Sequence, residues 1–387
     1  MSNITYKEYY KNKACEMLKD YKADYRQKIW EKYKSFKHVC IFGCGNMGRE
    51  LPQLLKSCGE KGIIVDCYCD NDKSKVGKDV YNCGIKCISI EDLIKIKNET
   101  AVIISTRYYK EIYEQLVKYK FPLIDRVFHN KFYIDDFLKE NDREKVINSL
   151  KNLFEILEDE ESCRVLTRII EEWTRSEYSY GQLDDIYSIP QYFPVNIMQS
   201  SDKECFVDCG AYNGDSISDF LNYSKGKFEK YYAFELNNKN CEELRTNIEM
   251  NYEDIKEKFV VENKGVSKET KEVRYEDGCE GSKINQYGME KGQIVALDDY
   301  FSNNQEVTFI KMDIEGAEMD ALVGAKKLIE MQQPKLAICL YHKPDDLWKI
   351  PLYIKKINKK YNIYIRHHTD LMNETVCYAI INAKNKN

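Results

Sequence analysis

Twice in this chain a short apolar run ends in glycine and passes straight into a helical pattern, and that arrangement restricts the fold more than any other feature. The first instance is Lys37-His38-Val39-Cys40-Ile41-Phe42, followed by Gly43-Cys44-Gly45-Asn46-Met47-Gly48. The second is Glu204-Cys205-Phe206-Val207-Asp208-Cys209, followed by Gly210-Ala211-Tyr212-Asn213-Gly214. Around each, further apolar runs alternate with helical spacing, which implies a parallel sheet with crossover helices. The fold class expected is α/β, with two sheet-bearing domains in one chain.

The order of elements sets the expected boundaries. Residues 1–35 read as one amphipathic helix with Met17, Leu18, Tyr21 and Tyr25 on one side. Residues 36–130 form a small Rossmann-like α/β domain, with strands at Lys37–Phe42, Ile63–Asp70 and Ala101–Ser105. Residues 131–200 hold no convincing strand and read as a helical connector. Residues 201–387 hold the second sheet, with strand candidates at Glu204–Cys209, Tyr231–Leu236, Phe259–Val266, Thr308–Ile314, Lys335–His342, Asn362–His367 and Thr375–Asn382. So short a gap separates the last two that an antiparallel hairpin fits better than a helical crossover. Residues 267–295, polar and carrying Gly278, Gly281 and Ser282, read as an excursion over the sheet edge and a candidate lid.

Composition removes several classes of function. The 387 residues suit two or three domains, and 43% hydrophobic content lets each bury a core. Charged residues reach 32%, yet the net charge is only -5, so no basic excess is available for a phosphate backbone and nucleic acid is not an expected partner. No apolar run is long enough to span a bilayer and the N-terminus lacks a signal-peptide core, so the expectation is a cytoplasmic protein. The 15 cysteines are scattered through apolar runs without paired C-x-x-C or histidine partners, so they read as reduced and buried, and no metal is expected.

The second glycine turn carries the stronger chemistry. Gly210 and Gly214 lie where ligands of open α/β sheets bind, at the carboxyl end of a strand, and glycine there lets a ligand approach bare backbone. Their spacing lacks the pyrophosphate cradle of G-x-G-x-x-G. At the end of the next strand, Glu235 can accept both hydroxyls of a ribose. A glycine turn and a ribose acid without a phosphate cradle suit S-adenosylmethionine. The strand Phe309-Ile310-Lys311-Met312 then delivers Asp313-Ile314-Glu315-Gly316-Ala317-Glu318 to the same rim. Asp313 or Glu315 could take a proton from a methyl acceptor or hold its hydroxyls, His342 is a second candidate base, and Glu318 reads as a residue favouring a helix N-terminus.

Taken together, Val207–Ala211, Ala233-Phe234-Glu235, Ala296-Leu297-Asp298-Asp299, Ile310–Glu318, Pro334 and Tyr341-His342 resemble the FkbM-type methyltransferase family over roughly residues 200–382. The resemblance implies a class I methyltransferase fold, a parallel sheet closed by an antiparallel hairpin, and methyl transfer to a hydroxyl of a sugar, glycan or secondary metabolite. It implies a cofactor site lined by Asp208, Gly210, Asn213 and Glu235 with Asp313 beside it; Ala211, Gly214 and Leu236 belong to the same turn and strand end. The sequence departs from the family pattern at Cys209 and at Leu236-Asn237. Gln191-Tyr192-Phe193 also recurs in relatives carrying an additional N-terminal domain, where it is expected to cover the cofactor site.

The first turn has the dinucleotide fingerprint in its proper context. Gly43, Gly45 and Gly48 follow a strand and open a helix, and Asp70 ends the next strand. The domain spans only half a dinucleotide fold, and it resembles the small Rossmann-like domains that precede sugar-modifying enzymes in polysaccharide pathways. Its expected ligand is a nucleotide, NAD or a nucleotide-linked sugar; the alternative is a domain kept for packing or for association into a homo-oligomer. An NAD-dependent dehydrogenase or epimerase reading needs a Tyr/Lys or Cys/His pairing, and Thr106-Arg107-Tyr108-Tyr109-Lys110 is the only nearby candidate.

Overall fold

In a computed structural model, residues 5–45, 48–106, 108–127, 129–175, 182–278, 281–303 and 305–381 are described; Asn46 and Met47 of the first turn, Arg107 and Asn382 fall outside them. The chain divides into two compact units, one of residues 20–143 and 173–182, the other of residues 1–19, 144–172 and 183–387.

The smaller unit is a five-stranded, wholly parallel sheet. Its strands are β1 (His38–Phe42), β2 (Cys67–Cys69), β3 (Cys87–Ile88), β4 (Thr100–Ile104) and β5 (Leu123–Asp125), in the order β3-β2-β1-β4-β5. Apolar clusters cover both faces, one built on Val39, Ile41, Tyr68 and Ile103, the other on Cys40, Phe42, Val102 and Ile104. The alternation of side chains along one strand thus feeds two cores. The expected strand at Ile63–Asp70 shortens to Cys67–Cys69.

The single N-terminal helix expected over residues 1–35 is instead two, Tyr6–Asp20 and Tyr25–Tyr33. Ala23 between them takes a left-handed φ of 52°. Asp135, fully buried, accepts hydrogen bonds from the Tyr21 hydroxyl and from the Tyr25 amide at 3.0 Å. A buried carboxylate needs such donors, and meeting it draws the chain out of the helix.

The larger unit holds β6 (Cys205–Cys209), β7 (Lys230–Phe234), β8 (Phe259–Glu262), β9 (Gly265–Val266), β10 (Lys271–Gly278), β11 (Gly281–Ile284), β12 (Glu290–Val295), β13 (Phe309–Met312), β14 (Lys335–Cys339), β15 (Asn362–His367) and β16 (Thr375–Ile380). Seven form the main sheet, in the order β15-β16-β14-β13-β6-β7-β8. All pairs are parallel except those of β16, which runs antiparallel to both β14 and β15. The chain reverses direction across the sheet between β6 and β13, which places the ligand crevice of an open α/β sheet at their carboxyl ends. An aromatic cluster of Phe193, Phe206, Phe220, Tyr231 and Phe309 fills one face.

Residues 267–295, read from sequence as short pieces passing over an edge, instead build most of a second sheet, β11-β10-β12-β9. The stretch expected as a connector is divided between the two units, and its helices Arg143–Ile156 and Glu160–Thr174 fall mostly in the larger one. There it covers the exposed edge of β15: Leu157 bridges Ile363, Glu158 donates its amide to the Ile363 carbonyl at 2.9 Å, and Arg366 pairs with Asp159 at 2.6 Å. Covering an edge strand removes a template for unwanted pairing. Among the described residues no helix is long and apolar enough to cross a membrane.

Candidate active site

The carboxyl ends of β6, β7, β13 and β14 bring together most of the residues singled out in the second half of the sequence. Gly210 leaves β6 with a φ of 81°, and a Cβ there would stand 1.8 Å from the Asp313 carbonyl oxygen. Only glycine permits the two strand ends to pass so closely. Its amide and that of Ala211 both donate to the Phe234 carbonyl, at 2.9 and 3.1 Å, which fastens the turn to the end of β7. Gly214 closes the turn at a φ of 85° against Leu244 and Ile217.

Glu235 stands just beyond β7. Its Oε2 accepts the Tyr212 amide at 2.9 Å and its Oε1 the Asn237 amide at 2.8 Å. The side chain is therefore fixed against the glycine turn, with lone pairs left on both oxygens. Burial pushes its carboxyl above the ordinary value, against the pull of those two amides. Asn213 contributes its carbonyl to Asn247 at 3.0 Å, and Ala211 is packed into the aromatic core. The Leu236 side chain lies against Gly265 and Gly292 of the small sheet.

Asp208 and Lys311 lie directly opposite each other on β6 and β13. Lys311 Nζ donates to Asp208 Oδ1 and to the Gly210 carbonyl, both at 2.8 Å. The other carboxylate oxygen of Asp208 accepts the hydroxyls of Ser216 and Tyr231, each at 2.6 Å. Asp208 is thus wholly buried beneath the turn, and its oxygens are used within the protein. Its work is to hold Lys311, and through Lys311 the turn itself. The sequence reading passed over that lysine; its signal was a cation in an apolar strand, which must find an acid on a neighbouring strand.

Beyond β13 the chain turns through Glu315 and Gly316, at φ of 55° and 90°, into the helix Glu318–Gly324. Asp313 Oδ2 accepts the Tyr192 hydroxyl at 2.7 Å, and Oδ1 accepts that of Tyr341 at 3.0 Å. Burial opposes its ionisation, but Lys311, His342 and the two hydroxyls hold the carboxyl below the usual range. His342 follows β14, with Nε2 3.5 Å from Asp313 Oδ1 and 3.6 Å from Glu315 Oε2, and Nδ1 2.9 Å from Glu318 Oε1. Burial would lower its pKa, yet Glu318, Asp313 and Glu315 raise it to about 9. Glu318, read from sequence as a helix-start residue, does meet the Ile314 amide at 2.8 Å, but it is also fully buried and faces the imidazole. Tyr192, expected near the cofactor, lies on Asp313, with Lys311 5.0 Å from its ring centre.

The first glycine turn is arranged differently. Asp70 Oδ2 accepts the Cys44 amide at 2.8 Å, its Oδ1 accepts the Asp72 amide at 2.9 Å, and Lys75 Nζ lies 2.9 Å from Oδ2. Gly43 packs so tightly on β4 that a Cβ would stand 2.6 Å from the Ser105 carbonyl, while Gly45 borders open space. Tyr68 and Tyr81 donate their hydroxyls to the Gly48 and Gly45 carbonyls.

Residues 208–372 match the family described as Methyltransferase FkbM domain. Among solved structures, the chain is similar to methyltransferase FkbM from Methylobacillus flagellatus, at 23% identity and a TM-score of 0.69, covering 97% of this chain and 99% of that one. Both units therefore have counterparts in that fold. Weaker likenesses span half of this chain: an rRNA methylase from Streptococcus thermophilus (16% identity, TM-score 0.29, 49% of this chain and 92% of that one) and Aeropyrum pernix fibrillarin bound to S-adenosyl-L-methionine (9%, 0.31, 48% and 70%). No curated protein matches the chain. The strand order, the glycine turn with its acid and the family match agree: residues 208–372 are a methyltransferase FkbM domain.

Proposed function

We propose that this chain transfers a methyl group from S-adenosylmethionine to a hydroxyl of a sugar, glycan or other small acceptor. The observation that carries the reading is Glu235, a buried carboxylate locked by two backbone amides at the mouth of a turn whose first residue can only be glycine. Two lone pairs in fixed positions beside bare backbone suit the vicinal hydroxyls of a ribose, and the Gly210–Gly214 spacing lacks the pyrophosphate cradle of a dinucleotide site. Glu235, Gly210 and the Tyr212–Gly214 backbone would hold the nucleoside. When bound, the cofactor supplies a methyl group on sulfonium, open to in-line attack by an oxygen.

The chain's own residues then need only orient the acceptor and accept its proton. Asp313, held anionic by Lys311, is a weak base and a good hydrogen-bond acceptor, so it positions the hydroxyl, with Tyr192 and Tyr341 fixing its carboxylate. The proton passes to the His342 cluster, whose most accessible acid is Glu315, 29% exposed. The acceptor class rests on the family likeness and on this rim of hydroxyl-binding groups. Calorimetry with S-adenosylhomocysteine on the full chain tests the reading. Micromolar binding that Glu235→Ala weakens greatly is the expected result; no binding, or binding indifferent to Glu235, would overturn it.

A further inference from the structure

The cluster beyond β13 and β14 holds more negative charge than its own donors can satisfy. Asp313, Glu315 and Glu318 surround one imidazole, and Asp346 opens the helix Asp346–Ile357 that follows His342 in the chain. Besides His342 itself, the buried Lys311 is already bound to Asp208 and the Gly210 carbonyl, and Lys343 turns its ammonium to the Gly316 carbonyl.

Four buried side-chain atoms here make no hydrogen bond: Glu318 Oε2, both ring nitrogens of His342, and Asp346 Oδ2. The Glu318 side chain is fully buried and that of His342 is 9% exposed. The 2.9 Å approach of Glu318 Oε1 to Nδ1 is an ion pair, which supplies charge to the imidazole and leaves Glu318 Oε2 unmatched. Each unmade bond of this kind costs about 1–3 kcal/mol, so four in one place call for a partner.

The spacing shows what the partner is. One ligand atom each from Asp313, Glu318 and His342 can be chosen so that all lie within 4.8 Å of one another. Ligands at about 2.1 Å from one ion stand roughly 3–4 Å apart, so small side-chain shifts would close the shell. We propose that Asp313, Glu318 and His342, with Glu315 beside them, form a site for one divalent cation of the manganese class. Two or three carboxylate oxygens and a single imidazole suit such an ion better than a thiolate-seeking one. No linear spacing marks it, because the three ligands come from a strand end, the helix that follows and the next strand end. The site stands on this geometry alone. Its use, holding and acidifying the acceptor hydroxyl, rests on the methyl-transfer reading.

The test uses the full chain, stripped with chelator and titrated with manganese chloride, with free Mn2+ followed by electron paramagnetic resonance. One saturable Mn2+ per chain below about 1 mM is expected. Glu318→Gln keeps an oxygen for the Ile314 amide but removes the charge, and His342→Gln removes the imidazole; each should weaken Mn2+ by at least about tenfold. Each should leave S-adenosylhomocysteine affinity unchanged, which also shows that the variant is folded. No saturable Mn2+ on the wild-type chain overturns the proposal, whatever the variants do. Wild-type affinity in either folded variant overturns it as well. A wild-type chain that binds S-adenosylhomocysteine but takes up no Mn2+ shows this site failing alone, and one that takes up Mn2+ but binds no nucleoside shows the methyl-transfer reading failing alone.

Discussion

The two glycine turns are nearly the same device in sequence and opposite in physical state. Each follows an inner strand of a parallel sheet, and in each an acid at the end of the next strand accepts an amide from the turn: Asp70 from Cys44 at 2.8 Å, Glu235 from Tyr212 at 2.9 Å. Asp70 also has Lys75 at 2.9 Å, and although burial opposes it, its amides and that lysine hold its carboxyl below the usual range. Glu235 has no cation within ion-pair distance among the described residues, and burial pushes its carboxyl up. At the first turn the acid is matched by a cation. The second keeps an uncompensated acid at its mouth, the condition expected of a group awaiting a ligand.

The largest contrast lies in the glycines. Gly210→Ala drives a Cβ to 1.8 Å from the Asp313 carbonyl at a left-handed φ, so a loss of about 4 kcal/mol is expected, seen as a large fall in Tm or as failure to express folded. Gly45→Ala meets nothing within 4 Å and should stay within about 0.5 kcal/mol of wild type. Equal losses at the two positions would remove the distinction between a glycine packed on a neighbouring strand end and one that borders open space. The cations beneath the turns should differ in the same sense. Lys311→Met leaves Asp208, wholly buried, without its counter-charge and should cost about 3–5 kcal/mol. Lys75→Met exposes a partly solvated Asp70 and should cost at most about 1 kcal/mol in thermal denaturation.

Binding sharpens the comparison next. Glu235→Ala should weaken S-adenosylhomocysteine by about 100-fold in calorimetry, the equivalent of two hydrogen bonds to a charged acceptor. Asp70→Ala should leave that affinity unchanged and show only a modest drop in Tm. If Asp70→Ala instead weakened the nucleoside as much as Glu235→Ala, the assignment of the ligand to the second turn would have to be abandoned.

The parts legible in the sequence were those that depend on local pattern. The parallel strands, the reversed β16 and the placement of Gly210, Glu235 and Asp313 at strand ends all follow from residues close together in the chain. What was not legible depended on distant partners. Glu318 looks like an ordinary helix-start acid until β14 brings His342 against it. Asp208 looks like a ligand residue until β13 supplies Lys311. Asp135 breaks the N-terminal helix from more than a hundred residues away. Residues 267–295 looked irregular because strands of a small polar sheet lack a continuous apolar face to mark them.

The smallest expected effect is also the one whose sign separates the turns. Asp70 has a folded pKa below its unfolded value, so its contribution is fully present above about pH 3.8 and is lost only as pH falls through the lowered value. Glu235 has a folded pKa above 4.5, so its ionisation costs stability, and that cost grows as pH rises from 4.5 through the raised value. Between pH 7 and 4.5, therefore, the Tm difference between wild type and Glu235→Ala should drift in favour of wild type on acidification, while that between wild type and Asp70→Ala stays flat. Over the same range S-adenosylhomocysteine affinity should fall for wild type, because a protonated Glu235 gives up an acceptor to its own proton. Calorimetric scans at four or five pH values measure both trends. A flat Glu235 difference with a sloping Asp70 one would mean that the compensated acid is the one in the second turn, and the contrast between the turns would be reversed.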